Sequence, residues 1–330
     1  INYPPSGDLP KGDKLQTERP HIVTTAIEHE SVLEPCRTLE KEGLAEVTYV
    51  KPQKDGIVLV EDVKNAIRPN TVLVSVMYAN SEIGTIQPIV EIGALLAKYK
   101  IQDTRYLPRG KAGKILFHTD AAQAAGYLDC DVEKLNVNLL TLSGHKIYGP
   151  KGVGVLYRRE GVRVLPLLEG GGQEMGLRSG TENVAAIVGM GEAIQEIQNL
   201  PAGRQVQNIV IRQMRDKLIK MVLRRIPNSE LTGSLERRLP NNAHFRFQGV
   251  EGRDIVIALD QKGIAAATGS ACSEKTQEPS HVLLALGIEA EGALSALRVT
   301  LGKQTRLEEI ERAVKAIVQI VAQLKKSSVQ

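Results

Sequence analysis

The sequence contains no tryptophan and only three phenylalanines in 330 residues, so its core must be built from aliphatic side chains. Cysteine is almost as scarce. Cys36, Cys130 and Cys272 show none of the spacings that hold a metal. An odd, sparse count excludes a disulfide framework and fits a reducing compartment, so a cytoplasmic location is expected. Neither sign of charge dominates. The 42 Lys and Arg residues against 38 Asp and Glu leave a formal net charge of +4, which carries no nucleic-acid footprint. No apolar run approaches the roughly 20 residues that span a bilayer, and no secretory leader pattern stands at the start. Nucleic acid and membrane are therefore not expected as partners.

What is present is ordinary for a globular protein of one or two domains: 42% hydrophobic and 24% charged residues. The patterning is more specific. Strand-like runs at His21 to Thr25, Val47 to Val50, Thr71 to Met77, Ile115 to His118, Asn138 to Leu142 and Gly152 to Tyr157 carry continuous or near-continuous apolar character. Helical spacing falls between them, at Ser31 to Glu42 (Ser31 as cap, Gly43 as stop), Leu59 to Ile67 and Pro88 to about Lys100. Alternation of this kind predicts βαβ crossovers, a mostly parallel sheet and an α/β fold with helices on its flanks.

Amphipathic helices are predicted at Asn183 to Leu200 and Val206 to Arg225, and the pattern then changes. Strands are expected at Ala243 to Phe247, Ala265 to Thr268 and Ala296 to Leu301. Helices are expected at Asp254 to Lys262, at His281 to Leu286 and from Leu307 onward. The predicted division is a large domain over 1–203 and a smaller α+β domain over 204–330. The similar stretches Leu9-Pro-Lys-Gly, Leu107-Pro-Arg-Gly and Leu200-Pro-Ala-Gly read as exposed loops. Gly170-Gly-Gly172 lacks a following lysine and reads as a turn, not a phosphate loop.

One lysine stands apart. Lys146 lies in Ser143-Gly-His-Lys-Ile-Tyr-Gly-Pro-Lys-Gly152, where a buried strand runs into glycine-bounded turns. Ligands of parallel sheets collect at the carboxyl ends of strands, and His29, Asn80, Asp120 and Ser143 to Lys146 all fall just past predicted strand ends. A lysine and a carboxylate on neighbouring strand ends suit pyridoxal phosphate chemistry. The amine forms a Schiff base with the cofactor aldehyde, and the carboxylate keeps the pyridine nitrogen protonated. Taken alone, Asp120 would serve equally as a helix N-cap, and Lys146 as a surface charge.

The segment at 143–152 closely resembles the cofactor-lysine segment of cysteine desulfurases, pyridoxal-phosphate enzymes of the class V aminotransferase fold. The resemblance continues in order through Thr25-Ala-Ile-Glu-His29, Asn80-Ser-Glu-Ile-Gly84, His118-Thr-Asp-Ala-Ala-Gln123, Arg178-Ser-Gly-Thr181, Ser270-Ala-Cys272 and Leu297-Arg-Val-Thr-Leu-Gly302. It implies a large domain of the type I pyridoxal-phosphate transferase fold. His29 would stack on the cofactor and move protons, and Asp120 would meet the ring nitrogen. Gln123 and Asn80 would orient the ring and its phenolic oxygen, with Asn80 also near the substrate. Ser143 and His145 would hold the phosphate, and Thr181 would reach the phosphate of a partner subunit in a homodimer. Arg298 would bind the carboxylate of L-cysteine in a bidentate manner.

Cys272 would attack the substrate sulfur as a thiolate, become a persulfide and release alanine. It would then pass sulfur to an iron–sulfur scaffold or another acceptor protein, with only transient contact to iron–sulfur metal. Pro279-Ser-His-Val-Leu283 after the cysteine resembles the iron–sulfur assembly group. The family's Gly-Ala-Thr-Glu-type phosphate motif, which binds at a helix start, is not found, so the large domain is expected to be N-terminally incomplete. Ser81 replaces a family asparagine, and Asp103 to Lys114 looks like an inserted surface loop. The alternatives are a selenocysteine lyase, another class V aminotransferase, or a catalytically impaired fragment that acts only as an interaction remnant.

Overall fold

A computed structural model of the chain describes residues 19–101, 113–198, 203–269 and 278–327. Its first half alternates strand and helix: β1 (His21–Thr25), α1 (Glu30–Lys41), β2 (Glu46–Val50), α2 (Val60–Ala66), β3 (Thr71–Ser75) and α3 (Ile89–Leu96). The two-residue strands β4 (Lys100–Ile101) and β5 (Gly113–Lys114) pair antiparallel. They flank a segment in which 102–112 lie outside the described residues, and most of the expected inserted loop falls there. The series continues with β6 (Leu116–Asp120), α4 (Val132–Leu135), β7 (Leu139–Ser143), β8 (Gly154–Arg158) and α5 (Val184–Gln198).

Six of these strands form one sheet in the order β2-β1-β3-β6-β7-β8. Every pairing in it is parallel except β7 with β8. The α/β expectation holds because the apolar runs are buried: all five residues of β1 are inaccessible. Val23, Val74, Phe117 and Leu140 of the sheet pack with Val63, Ile89 and Ile92 of the helices in one aliphatic core. β8 is the exception. It closes one edge, and Val155 and Leu156 on it are exposed.

The second half holds α6 (Gly203–Arg225), β9 (Ser229–Leu231), β10 (Asn242–Phe247), α7 (Gly252–Asp260), α8 (His281–Ala285), α9 (Ala290–Leu294), β11 (Ala296–Thr300) and α10 (Leu307–Ser327). β11, β10 and β9 make a separate antiparallel sheet. Its core joins Phe245, Phe247 and Leu297 to Leu218 and Val222 of α6, Ile255 of α7 and Val314 and Ile317 of α10. The strand expected at Ala265 to Thr268 is not formed; Ala267 makes only a single bridge to Arg298. β9, α4 and α9 went unread because elements of three to five residues show no measurable period. The Leu-Pro-X-Gly stretches lie outside the described residues apart from Gly203.

The two sheets meet at residues 79–87. Gly84 has φ of +74°, and a Cβ there would lie 2.5 Å from the Asn242 side chain. Asn242 Nδ2 donates to Glu82 O (2.9 Å), Leu239 N–H donates to Gly84 O and Ile86 N–H donates to Arg237 O. Arg298, in mid-strand on β11, is thereby brought over the carboxyl ends of β1, β3, β6 and β7.

Candidate active site

A cleft of about 610 Å³ opens at those carboxyl ends. Clefts of roughly 300–1,000 Å³ suit small molecules. Lys146, Asp120, Gln123, His29, Asn80, Ser143, His145 and Arg298 all line it, although the chain separates them by as many as 269 positions (from 29 to 298). Parallel pairing accounts for the convergence of all but Arg298: adjacent strands end at the same edge, and each hands its next residue to that edge, while Arg298 arrives from β11 of the second sheet.

β7 ends at Ser143, and the chain tightens into a 3-10 turn, Gly144–Ile147, that carries Lys146. Gly144 is required there. A Cβ would lie 2.7 Å from Val153 Cγ1 and 3.0 Å from Pro150 O. Gly149 N–H closes the turn on Gly144 O (2.9 Å), and Tyr148 adopts a left-handed φ of +66°. Ile147 is buried against Met190 and Ala193 of α5, so the lysine side chain is left on the cleft side. Ser143 Oγ lies 3.0 Å from His145 Nδ1. Partial burial, Lys146 and Lys151 lower the His145 pKa, which favours the neutral ring.

Asp120 is the last residue of β6. Its Oδ1 accepts from Ala122 N–H (2.9 Å), so the side chain is oriented by the turn that follows it. Two residues earlier, His118 bridges Ser75 Oγ and Thr141 Oγ1, each at 2.8 Å, and ties β3, β6 and β7 together beneath the cleft. His29, not Ser31, is the N-cap of α1. Its Nδ1 accepts from Ser31 N–H (3.2 Å), so a neutral ring carries its proton on Nε2.

Asn80 lines the cleft, and its amide is held by neighbouring protein groups. Nδ2 donates to Ile27 O (2.9 Å) and contacts Met77 Sδ (3.4 Å), while Oδ1 accepts from the N–H groups of Glu82 and Ile83 (2.9 Å each). Ser81, the next residue, also lines the cleft. Thr181 does not; it is exposed on the segment before α5. Cys272, with Ser270 and Ala271, lies outside the described residues.

The aminotransferase class-V family matches residues 11–313. The chain is 45% identical over 311 residues to "Cysteine desulfurase IscS" of Clostridium botulinum (strain Hall), covering 93% of this chain and 74% of the relative. It is 44% identical over 308 residues to "Cysteine desulfurase IscS" of Methanosarcina thermophila, covering 93% and 72%. A solved structure described as a NifS-like protein superposes with a TM-score of 0.80 at 33% identity, covering 94% of this chain and 77% of that one.

This chain belongs to the class-V aminotransferase family.

A class-V site needs pyridoxal phosphate, and the donor set fits it: the Lys146 amine, the Asp120 carboxylate, the Gln123 carboxamide, the flat imidazole of His29 and hydroxyl donors share a single cleft. The same class-V cleft holds groups that the sequence did not single out. Glu28 is fully buried. Its Oε1 accepts from Thr25 Oγ1 (2.7 Å) and Met77 N–H (2.9 Å), and its Oε2 has no hydrogen-bond partner among the described residues. Burial pushes this carboxyl up to about 8, opposed by those two bonds and reinforced by Asp120. His281, at the start of α8, also lines the cleft and reaches Glu28 O (3.0 Å). In the sequence both looked like ordinary polar residues beside an apolar run; the end of β1 places Glu28 here, and the packing of the α8 N-terminus against it places His281. Glu82 is buried at the cleft wall, where burial pushes its carboxyl up to about 7 against the hydrogen bond from Ser280 and the charge of Arg298.

Proposed function

We infer that this protein is a pyridoxal-phosphate-dependent cysteine desulfurase, which takes sulfur from L-cysteine and leaves L-alanine. The observation that carries the reading is the convergence of Lys146, Asp120, Gln123, His29 and Arg298 on one cleft at parallel strand ends. When bound, pyridoxal phosphate supplies an electron-withdrawing ring that stabilises negative charge on the substrate carbon skeleton.

The chain's own residues would divide the work as follows. Lys146 Nζ would hold the cofactor's aldehyde carbon. The Asp120 carboxylate would keep the pyridine nitrogen protonated, and Gln123 would donate to the phenolic oxygen. Ser143 and His145 would donate to the phosphate, which the neutral form of His145 can do through one ring nitrogen. His29 would cover the ring and carry a proton on Nε2 to or from the substrate. The Arg298 fork would bind the substrate carboxylate in bidentate fashion; its NH1 donates to Ser81 O (3.0 Å), which helps aim it. Asn80 would act through backbone, holding the 80–83 turn as a wall of the site. Cys272, as thiolate, would attack the substrate sulfur; the carbon–sulfur bond breaks, and Cys272 persulfide and alanine result.

Leu167 (94% exposed), Met175 (88%) and Val188 (65%) are large apolar side chains left open on either side of Thr181 in the chain, which supports a homodimer in which Thr181 serves the other site. The core that unites α6 with the antiparallel sheet supports a small domain over 204–330 after a large domain over 1–203. The relatives' name IscS supports a sulfur acceptor of the iron–sulfur scaffold kind. No helix among the described residues is long and apolar enough to cross a membrane, which fits a cytoplasmic enzyme.

Borohydride reduction of cofactor-loaded protein, followed by peptide mapping, tests the site. The cofactor mass should fall on the Lys146 peptide. Lys146→Ala should lose both that adduct and alanine formation, and Cys272→Ser should keep the adduct but lose sulfur transfer. An adduct on any other lysine would refute the assignment.

A further inference from the structure

Behind Arg298 lies a buried acid–base pair that the desulfurase reaction as described does not use. Glu82 is 3% exposed and His244 fully buried. Glu82 Oε2 accepts from Ser280 Oγ (2.7 Å). Oε1 has no hydrogen-bond partner among the described residues, and neither has either ring nitrogen of His244; Oε1 and His244 Nε2 stand 3.7 Å apart. Gly269 packs onto the same carboxylate, and a Cβ there would lie 2.7 Å from Oε1. Arg298 is the direct cross-strand partner of His244 in the β10–β11 pairing, and it donates to the carbonyl of Ser81, the residue before Glu82. The buried Glu82 carboxyl therefore lies within the field of the Arg298 guanidinium, the group assigned above to the substrate carboxylate.

We propose that Glu82 is a positioning residue that competes with the substrate carboxylate for the charge of Arg298. Ionised, it draws on the guanidinium and weakens carboxylate binding. Protonated, it leaves the full charge to the ligand. The charged groups around the pair decide which member holds the proton. Burial, Arg238, Arg298 and Arg246 push His244 down to about 3, so the imidazole stays neutral. Burial lifts Glu82 to about 7 against Ser280 and Arg298, so this carboxyl is the one that titrates near neutrality. By reciprocity, a carboxylate bound at Arg298 raises the proton affinity of Glu82, and binding takes up a proton from solvent.

The inference rests on the reading of Arg298 as the carboxylate anchor, and the experiment separates the two. L-Alanine and ethylamine differ only in the carboxylate, and neither has a thiol that titrates. Calorimetry on the cofactor-loaded protein gives the ratio of their dissociation constants, ethylamine over alanine, and so isolates the carboxylate. In the wild type that ratio should fall at least about 5-fold from about pH 6 to about pH 8.5. In Glu82→Gln it should be flat with pH and at or above the wild-type value at about pH 6. Ser280→Ala keeps the carboxylate but removes a donor to its ionised form, so the midpoint of the fall should move to higher pH. A Glu82→Gln ratio that still falls with pH, equal weakening of both ligands, or an unmoved midpoint in Ser280→Ala would overturn the proposal. If Arg298→Ala leaves the ratio unchanged at every pH, it is the anchor assignment that fails.

Discussion

Replacing Glu28 by glutamine should make the protein's stability less dependent on pH, with a size set by where that carboxyl sits. Glu28 is fully buried between β1 and the residues following β3, and its pKa rises from 4.5 to about 8, mainly through burial. The folded chain therefore holds a proton there that the unfolded chain releases above about pH 4.5. The sign follows: below the unfolded value both states are protonated and nothing is lost. As pH rises toward 8 the folded state is progressively penalised, and beyond 8 the loss is complete. At about 1.4 kcal/mol for each pH unit between the two values, the full loss is about 4–5 kcal/mol.

Glutamine at position 28 is neutral throughout and can accept the same bonds from Thr25 and Met77 through its single oxygen. Its amide would meet the place where Oε2 has no partner among the described residues, at a fixed cost of about 1–2 kcal/mol. Urea denaturation of both proteins at a series of pH values reads the difference directly. Contributions of Glu82, His21 and His244 are common to both and cancel. Near about pH 5 the variant should match the wild type or fall slightly below it, and the difference should move in the variant's favour by about 3–4 kcal/mol by about pH 8. Profiles parallel to within about 0.5 kcal/mol would show that Glu28 is not held protonated, and the reasoning from burial would fail.

Other substitutions probe the site from different directions. Gly144→Ala forces a methyl group against Val153 and the Pro150 carbonyl; overpacking of about 1–3 kcal/mol should displace the lysine turn and reduce the cofactor-loaded fraction after borohydride trapping. Arg298→Ala should raise KM for L-cysteine by roughly 30- to 100-fold with a smaller change in kcat, as for a lost charge-assisted bidentate contact; an unchanged KM would remove Arg298 from the substrate site. Ser280→Ala loses the α8 cap to Val282 and Leu283 N–H as well as the bond to Glu82. A stability loss of about 1–2 kcal/mol in thermal melts is expected. Thr141→Val breaks the Ser75–His118–Thr141 chain and should cost about 1–2 kcal/mol in urea denaturation, because it leaves a part-buried imidazole nitrogen unpaired.

Much of this protein was determined by local sequence. Continuous aliphatic runs separated by helical spacing demanded strands buried on both faces, and such strands pair parallel with their ends together. That placed Lys146, Asp120 and His29 at one edge, and Gly149, Pro150 and Gly152 already pointed to turns directly after the lysine. Composition, with neither a basic excess nor a long apolar run, left small-molecule chemistry as the open class.

Long-range contacts decided the rest, because they depend on groups that are remote in sequence. Asn80 reads as an available amide until Ile27, Met77 and two backbone N–H groups are found around it. Arg298 reads as an exposed strand charge until the contacts between residues 79–87 and 232–242 bring β11 across the cleft. The protonation of Glu28 and Glu82 was illegible for the same reason. A carboxyl's charge is governed by the water it loses and the dipoles it meets, and those are supplied by residues 49 to 198 positions away. The sequence could name the acids; only packing could say which of them keep their protons.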